Sequence, residues 1–138
     1  MGKTYAELLQ EVRAQVRLLS LDELHERLKS PNPPIVVDVR ESEERQQGYV
    51  PGSIHLPRGF LEMQAESKLP DKNAAIVTLC AGGVRSAFAA KALMDLGYRS
   101  VESANPGFVQ WKDRGFPMEV PPALSPAQRE RYSRHLLL

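Results

Sequence analysis

Leu79-Cys80-Ala81-Gly82-Gly83-Val84-Arg85-Ser86 follows the short β-branched run from Ala74 to Leu79 and opens a long helical pattern. The spacing predicts a strand, a tight loop and a helix N-terminus holding the only cysteine of the chain. Adjacent glycines let the loop curl so that successive N–H groups point inward. With the first free N–H groups of the helix, these make a cradle for an anion. Cys80 stands at its mouth. A thiol at a helix N-terminus beside an arginine ionises more readily than a free one, and the thiolate is the nucleophilic form. Arg85 falls in the first helical turn, where the macrodipole disfavours a cation, so an anionic group held in the loop would explain its placement. A lone cysteine is more often inert core, and a Gly-Gly pair alone is weak evidence. Strand, Cys80, two glycines, Arg85 and helix start read together favour a reactive thiol.

Outward from that loop, strands and helices alternate. Residues 1–19 read as an N-terminal amphipathic helix, with Tyr5, Leu8, Leu9, Val12, Val16 and Leu19 at helical spacing. Ser20 and Glu23 read as a capping box that starts a short helix, which stops before Pro31. Ile35-Val36-Val37-Asp38-Val39 is a continuous β-branched run, as expected of a parallel strand buried on both faces. Asp38 and Arg40 lie at its C-terminal end, where open α/β sheets place their sites. The structural alternative for this pair is that Asp38 ties down backbone N–H groups while Arg40 pairs with a nearby glutamate.

Beyond them, Glu41 to Gln47 read as a short helix and Ser53-Ile54-His55-Leu56 as a short strand. His55 is read as outward-facing rather than catalytic, because no sequence feature gives it a partner. Arg58 to Ser67 read as another helix, and Arg58 is a candidate for holding an anionic donor, weighed against solvated surface. After the helix that buries Phe88, Ala89, Ala92, Leu93 and Leu96 comes a strand at Ser100-Val101-Glu102-Ser103. A short helix follows from Phe108 to Arg114, with Trp111 as a core aromatic. Regular alternation of this kind argues an α/β fold with a mainly parallel sheet and helices on both faces.

Composition bounds the function. The chain has 138 residues, enough for one domain with a sizeable core. Its 18 basic and 17 acidic residues leave a net charge of +1, which gives no electrostatic case for nucleic acid or an anionic membrane. No apolar run approaches the ~20 residues of a membrane span. One cysteine permits no internal disulfide, and the three histidines show no metal-ligand spacing, so neither a metal nor a cofactor is expected and a reducing cytoplasm is the natural setting. Residues 120–138 change character. Pro121-Pro122 reads as a linker, and Ser125-Pro126 as the start of a helix running to Leu136-Leu137-Leu138, a trio that would dock, mediate association or continue into something longer.

Asp38-Val39-Arg40-Glu41, Glu43-Glu44 and Gly48-Tyr49-Val50-Pro51-Gly52-Ser53-Ile54 resemble the N-terminal signature of rhodanese domains, and Cys80 to Ser86 resembles their active-site loop. Gly97-Tyr98, Val101, Gly107-Phe108, Trp111 and Gly115-Phe116-Pro117 match the closing pattern of that family, so the resemblance spans residues 20–119. It implies a rhodanese-like fold, a five-stranded mainly parallel sheet flanked by helices on both faces, and transfer of sulfane sulfur through a persulfide on Cys80. Ala81, Gly82, Gly83, Val84, Arg85 and Ser86 would bind the donor, with Asp38 and Arg40 in support. Arg85 would hold the anionic end of thiosulfate or of a protein persulfide, and a thiophile would collect the sulfur. Two departures, Tyr49 for a usual His and Pro106-Gly107 for two glycines, are expected to leave the loop untouched.

The tail from Leu124 to His135 resembles the first residues of the adenylyltransferases that activate ubiquitin-like sulfur carriers for molybdopterin or thiamine synthesis. A fused domain of that kind, with a sulfur carrier protein as acceptor, is the expectation that follows. Three alternatives compete. A catalytically idle partner-binding module of this family would commonly lack the cysteine. A cysteine phosphatase or arsenate reductase resembles the loop but has five residues between Cys and Arg, where this chain has four. A redox sensor would want a second cysteine.

Overall fold

Strand β4 (Ala75–Leu79) runs through the middle of the sheet and hands the chain directly to Cys80. In the computed structural model, which describes residues 2–122, five strands lie in the order β1-β5-β4-β2-β3. The others are β1 (Arg17–Leu19), β2 (Ile35–Asp38), β3 (Ile54–His55) and β5 (Ser100–Ala104), and every strand pair is parallel. The helices are α1 (Tyr5–Gln15), α2 (Leu21–Leu28), α3 (Ser42–Gln46), α4 (Leu61–Lys68), α5 (Val84–Asp95) and α6 (Phe108–Asp113), with a 3-10 turn at Arg58–Phe60 leading into α4.

Alternation along the strands sorts their side chains into two cores. Val37, Val39, Ile76 and Cys80 face the side covered by α1, α4 and α5, together with Leu61, Ala87, Ala90 and Leu93. Val36, Val77 and Leu79 face the opposite side with Leu21 and Leu24 of α2 and Phe108 and Trp111 of α6. Helices therefore cover both faces, as parallel sheets require. Pairing of Asp38 with Leu79 on one side and with His55 on the other brings the C-terminal ends of β2, β3 and β4 level. Trp111 is fully buried and donates its indole N–H to the Pro117 carbonyl at 2.7 Å, confirming it as a core aromatic.

Two sequence expectations are corrected. The N-terminal helix ends at Gln15 rather than Leu19; Val16 is already extended at φ −107°, ψ 137°, and Arg17–Leu19 form edge strand β1 against β5. Val16 and Leu19 are both buried, three residues apart, so they satisfy the helical period although the second belongs to a strand. A strand of three residues carries too little alternation to be recognised. The helix is also less embedded than its pattern suggests: Val12 is its one buried residue, while Tyr5 and Leu8 are 62% and 41% exposed. On α5, the fully buried positions are Ser86, Ala87, Ala89, Ala90 and Leu93, with Phe88, Ala92 and Leu96 packed at the margin.

Ser20 does cap α2, its hydroxyl accepting the Glu23 N–H at 3.2 Å, but the expected capping box is only half formed, because the Glu23 carboxylate lies toward Arg27 at 3.6 Å instead of reaching back to the Ser20 N–H. Gly97, at φ +94°, follows α5 in the left-handed conformation expected of a C′ glycine. Ahead of β3, Tyr49 forms an isolated antiparallel bridge with Glu119, each N–H donating to the carbonyl of the other at 2.8 and 2.9 Å. No helix among the described residues is long and apolar enough to cross a membrane. The expected C-terminal helix, the adenylyltransferase-like stretch and Leu136–Leu138 lie outside the described residues.

Uneven embedding of the helices has a measurable consequence. Leu93→Ala empties a fully buried site and should cost about 2–5 kcal/mol in urea unfolding, whereas Leu8→Ala, on the exposed flank of α1, should stay within about 0.5 kcal/mol of the parent.

Candidate active site

Cys80 is 1% exposed, yet its sulfur is surrounded by donors rather than by hydrocarbon alone. The Gly83 N–H donates to Sγ at 3.1 Å and the Ser86 N–H at 3.3 Å. The protonated thiol donates to the Ser86 hydroxyl oxygen at 3.4 Å. That hydroxyl in turn accepts a bond from the Ser103 hydroxyl at 3.0 Å and faces the Ala104 carbonyl at 3.5 Å. When the thiol ionises, the Ser86 hydroxyl can rotate to donate to the sulfur while Ser103 continues to donate to it. Burial is the largest single influence on the thiol and pushes its pKa up. The hydroxyl of Ser86 and the N–H groups of Ser86, Gly83 and Gly82 together outweigh it, leaving the thiol more acidic than a free cysteine.

Local backbone chemistry explains the curl. Gly83 is the N-cap of α5 at φ +104°, in the left-handed region, and a Cβ there would stand 2.7 Å from Asn105 Oδ1. The outer side of the loop is pinned by α6: the Phe108 N–H donates to the Cys80 carbonyl at 2.8 Å and the Val109 N–H to the Ala81 carbonyl at 3.2 Å. With these carbonyls held outward, the loop N–H groups turn toward the sulfur. Gly107 is extended at φ −121°, so its need is space: an added Cβ would overlap the Cys80 carbonyl oxygen and the Ala81 backbone. The expectation that the Pro106-Gly107 segment leaves the loop untouched is thereby corrected, since Asn105 and Gly107 form one wall of it. Tyr49 does stand apart, its hydroxyl donating to Glu119 at 2.9 Å and its ring under the Arg45 guanidinium at 4.2 Å.

Around the loop, Gly83 and Ser86 are buried, Ala81, Val84 and Arg85 are half-buried, and Gly82 is exposed, so solvent reaches the site over Gly82. Arg85 is not open-handed. Its Nη1 and Nη2 donate to the two carboxylate oxygens of Glu44 at 2.6 and 2.8 Å. The guanidinium holds the Glu44 carboxyl down to about 2, and the carboxylate raises the Arg85 pKa in turn.

Asp38 and Arg40 form a buried ion pair. Asp38 Oδ1 accepts from the Arg40 N–H at 3.1 Å and from Nε at 2.9 Å, and Oδ2 accepts from Arg40 Nη2 at 2.8 Å and Arg45 Nη1 at 3.1 Å. Arg40 thus pairs with Asp38 and not with a glutamate; it reaches Glu44 only through the main-chain carbonyl, at 3.4 Å. It also donates to the Gly48 carbonyl at 2.7 Å and lies over the Phe108 ring at 4.3 Å. The pair touches the loop indirectly, by fixing the α3 segment that carries Glu44 and the α6 residue whose N–H holds Cys80. His55 bonds the Arg40 carbonyl through Nε2 at 2.8 Å, half-buried rather than outward-facing. Arg58 is engaged by Glu62 at 2.7 Å and lines a groove with Leu8, Phe88 and Lys91, away from the loop.

Sequence reasoning missed Glu44, Ser103, Asn105 and Gly107. Ser103 carried a signal, as a small polar residue at the C-terminal end of a strand beside β4. Asn105, directly after β5, shares that signal, while Glu44 and Gly107 entered only as parts of the family pattern, with nothing in the order of residues to place them beside Arg85 and Cys80. Among the described residues, no group of three or more His, Cys, Asp or Glu is placed to hold a metal ion.

A buried sulfur ringed by N–H and hydroxyl donors is chemically suited to act as a thiolate. The chain is 30% identical over 106 residues to a sulfurtransferase of Allochromatium vinosum, covering 77% of this chain and 97% of that one. It is 31% identical over 93 residues to YrkF of Bacillus subtilis, named as a candidate sulfur carrier protein; the match takes in 67% of this chain and spans about half, 49%, of YrkF. Among solved structures, a Rhodopseudomonas palustris protein of unknown function, described as a possible tyrosine phosphatase, superposes with a TM-score of 0.79 at 30% identity over 86% of this chain and 96% of its own. The family model for the rhodanese-like domain matches residues 20–114, and the chain belongs to that family.

Proposed function

We propose that the protein is a sulfurtransferase that carries sulfane sulfur as a persulfide on Cys80, taking it from thiosulfate or a protein persulfide and passing it to a thiophilic acceptor. The observation that supports this reading most directly is the convergence of the Gly83 and Ser86 N–H groups and the Ser86 hydroxyl on one buried sulfur. Donors aimed at Sγ stabilise the thiolate before attack, and again when Sγ becomes the leaving thiolate as the acceptor takes the outer sulfur. The kinship with proteins named sulfurtransferase and sulfur carrier supports it as well.

With thiosulfate, the Cys80 thiolate attacks the outer sulfur. A sulfur–sulfur bond forms on Cys80, the sulfur–sulfur bond of the donor breaks, and sulfite leaves with its electron pair. With a protein persulfide, the outer sulfur is transferred with its proton and the donor leaves as a thiolate. In the second half, an acceptor such as cyanide attacks the terminal sulfur, departs as thiocyanate and restores the Cys80 thiolate. The half-buried ring of Ala81, Val84 and Arg85 around exposed Gly82 leaves that sulfur approachable from one side. A sulfur carrier protein is a natural acceptor of this chemistry, and a reducing compartment such as the cytoplasm keeps Cys80 in the thiol state the cycle starts from.

Incubation with thiosulfate should add one sulfur atom to the intact mass of the wild type and none to Cys80→Ser, and cyanide should remove it. Hydrolysis of an aryl phosphate without sulfur uptake would instead select the phosphatase reading. The thiol should titrate below a free cysteine when followed by ultraviolet thiolate absorbance, so the loading rate rises with pH through a midpoint on the acidic side of the ordinary thiol range. Ser86→Ala removes one donor to the thiolate, moves that midpoint upward and slows loading at neutral pH by about tenfold, a loss of roughly 1.4 kcal/mol of transition-state stabilisation. Because the folded-state value is the lower one, ionisation of Cys80 adds stability above the free-thiol pKa, and this is lost as pH falls through the folded value.

A further inference from the structure

We infer that Glu44 is a specificity-determining residue that sets the donor's charge: by occupying the fork of Arg85 it biases the loop toward sulfur donors carrying one negative charge or none at the mouth, and against small dianions. The inference rests on Cys80 being the sulfur acceptor and names the donor class of that same site.

Three observations carry it. Nη1 and Nη2 of Arg85 are both given to Glu44, one to each carboxylate oxygen. That leaves the guanidinium only its remaining N–H groups for a ligand, with a fixed negative charge on the other edge of the fork. The carboxylate is itself held in place, because Glu44 Oε1 also accepts the Glu41 N–H at 2.9 Å at the start of α3, while the Glu44 carbonyl is anchored by Arg40. Arg85 finally stands close enough to feel the charge of Cys80, so what neutralises Arg85 also alters the field at the reacting sulfur. Glu44 does not touch the sulfur. It acts through Arg85, as a positioning residue whose charge cancels the one cation of the loop.

A dianion entering the mouth meets Arg85 already neutralised and the Glu44 carboxylate behind it; it must either displace that carboxylate or accept its repulsion. A monoanion meets half of that repulsion, and a donor whose charge lies away from the transferred sulfur meets little of it. Glutamine at position 44 keeps an oxygen for the Glu41 N–H and removes only the charge, which makes Glu44→Gln a conservative probe.

Wild type, Glu44→Gln, Glu44→Asp and the double variant Glu44→Gln/Arg85→Gln would be compared on two donors that load Cys80 identically, thiosulfate and methanethiosulfonate. The first is a dianion releasing sulfite and the second a monoanion releasing methanesulfinate. Glu44→Gln should raise kcat/KM for thiosulfate by about tenfold, mostly through KM, and raise the thiosulfate-to-methanethiosulfonate ratio severalfold. Glu44→Asp should keep the wild-type ratio, and the gain should vanish in the double variant. A ratio unchanged or lowered in Glu44→Gln would overturn the inference, leaving Glu44 as a strut that orients Arg85. Should Glu44→Gln fail to fold, the wild type alone decides: its donor ratio should lie below that of the same two donors reacting with cyanide in free solution, and a higher ratio overturns the inference. Absence of sulfur on wild-type Cys80 from either donor would mark failure of the sulfurtransferase reading instead.

Discussion

A sulfur that is 1% exposed can hold negative charge only where backbone dipoles replace the water it has lost. The backbone geometry of the loop follows from that constraint. The N–H groups of Gly83 and Ser86 must face inward, which requires the left-handed backbone at Gly83 and outward-facing carbonyls at Cys80 and Ala81. Those carbonyls must not be left unsatisfied, so α6 supplies two of its own free N–H groups to them. The first turns of two helices are thus used in opposite senses on one loop, α5 toward the sulfur and α6 toward the peptide oxygens.

The same constraint makes the buried Asp38–Arg40 pair intelligible. A buried ion pair is weak evidence of stabilisation, since its desolvation offsets much of its attraction. Here it acts as a hub. Asp38 receives two guanidinium groups, Arg40 and Arg45, and these reach the carbonyls of Glu44, Gly48 and Ser53. Three turns of main chain after β2 are therefore tied to one fully buried carboxylate at the end of that strand. Removing either partner would leave the other charged and buried without compensation, which is more damaging than losing a surface bridge such as Lys29 with Glu26. The hub sets where α3 begins, and α3 sets where the Glu44 carboxylate meets Arg85.

Much of this was legible from the residues in order. The sheet order follows no simple reading, but the parallel class did, because runs such as Ile35 to Val39 have no polar face to show to water. The loop was legible because glycine, cysteine and helix start are contiguous. What failed was the extent of α1, where Val16 and Leu19 fit two periods at once, and the placement of His55 and Arg40. Both of these side chains are directed by partners that a linear reading cannot supply: a carbonyl fifteen positions away for His55 and, for Arg40, the carboxylate two residues back rather than a glutamate ahead. Glu44 and Gly107 were invisible as site residues for the same reason. They lie 41 positions from Arg85 in the first case, and against the Cys80 backbone from a separate turn in the second.

These long-range contacts divide the labour of the site in a way the loop alone does not reveal. The Ser86 hydroxyl and the N–H groups of Ser86, Gly83 and Gly82, placed by β4, α5 and α6, lower the pKa of Cys80. Side-chain charge at the mouth is set by Arg85 and Glu44, from α5 and α3. Because the Glu44 carboxyl is held down to about 2, that charge balance stays constant across the range in which Cys80 titrates. The ionisation of Cys80 can therefore change with pH while the charge of the Arg85–Glu44 pair does not. On the proposed sulfur-transfer reading, substitutions at Glu44 on α3 change the charge a donor meets while leaving the N–H groups around Cys80 in place.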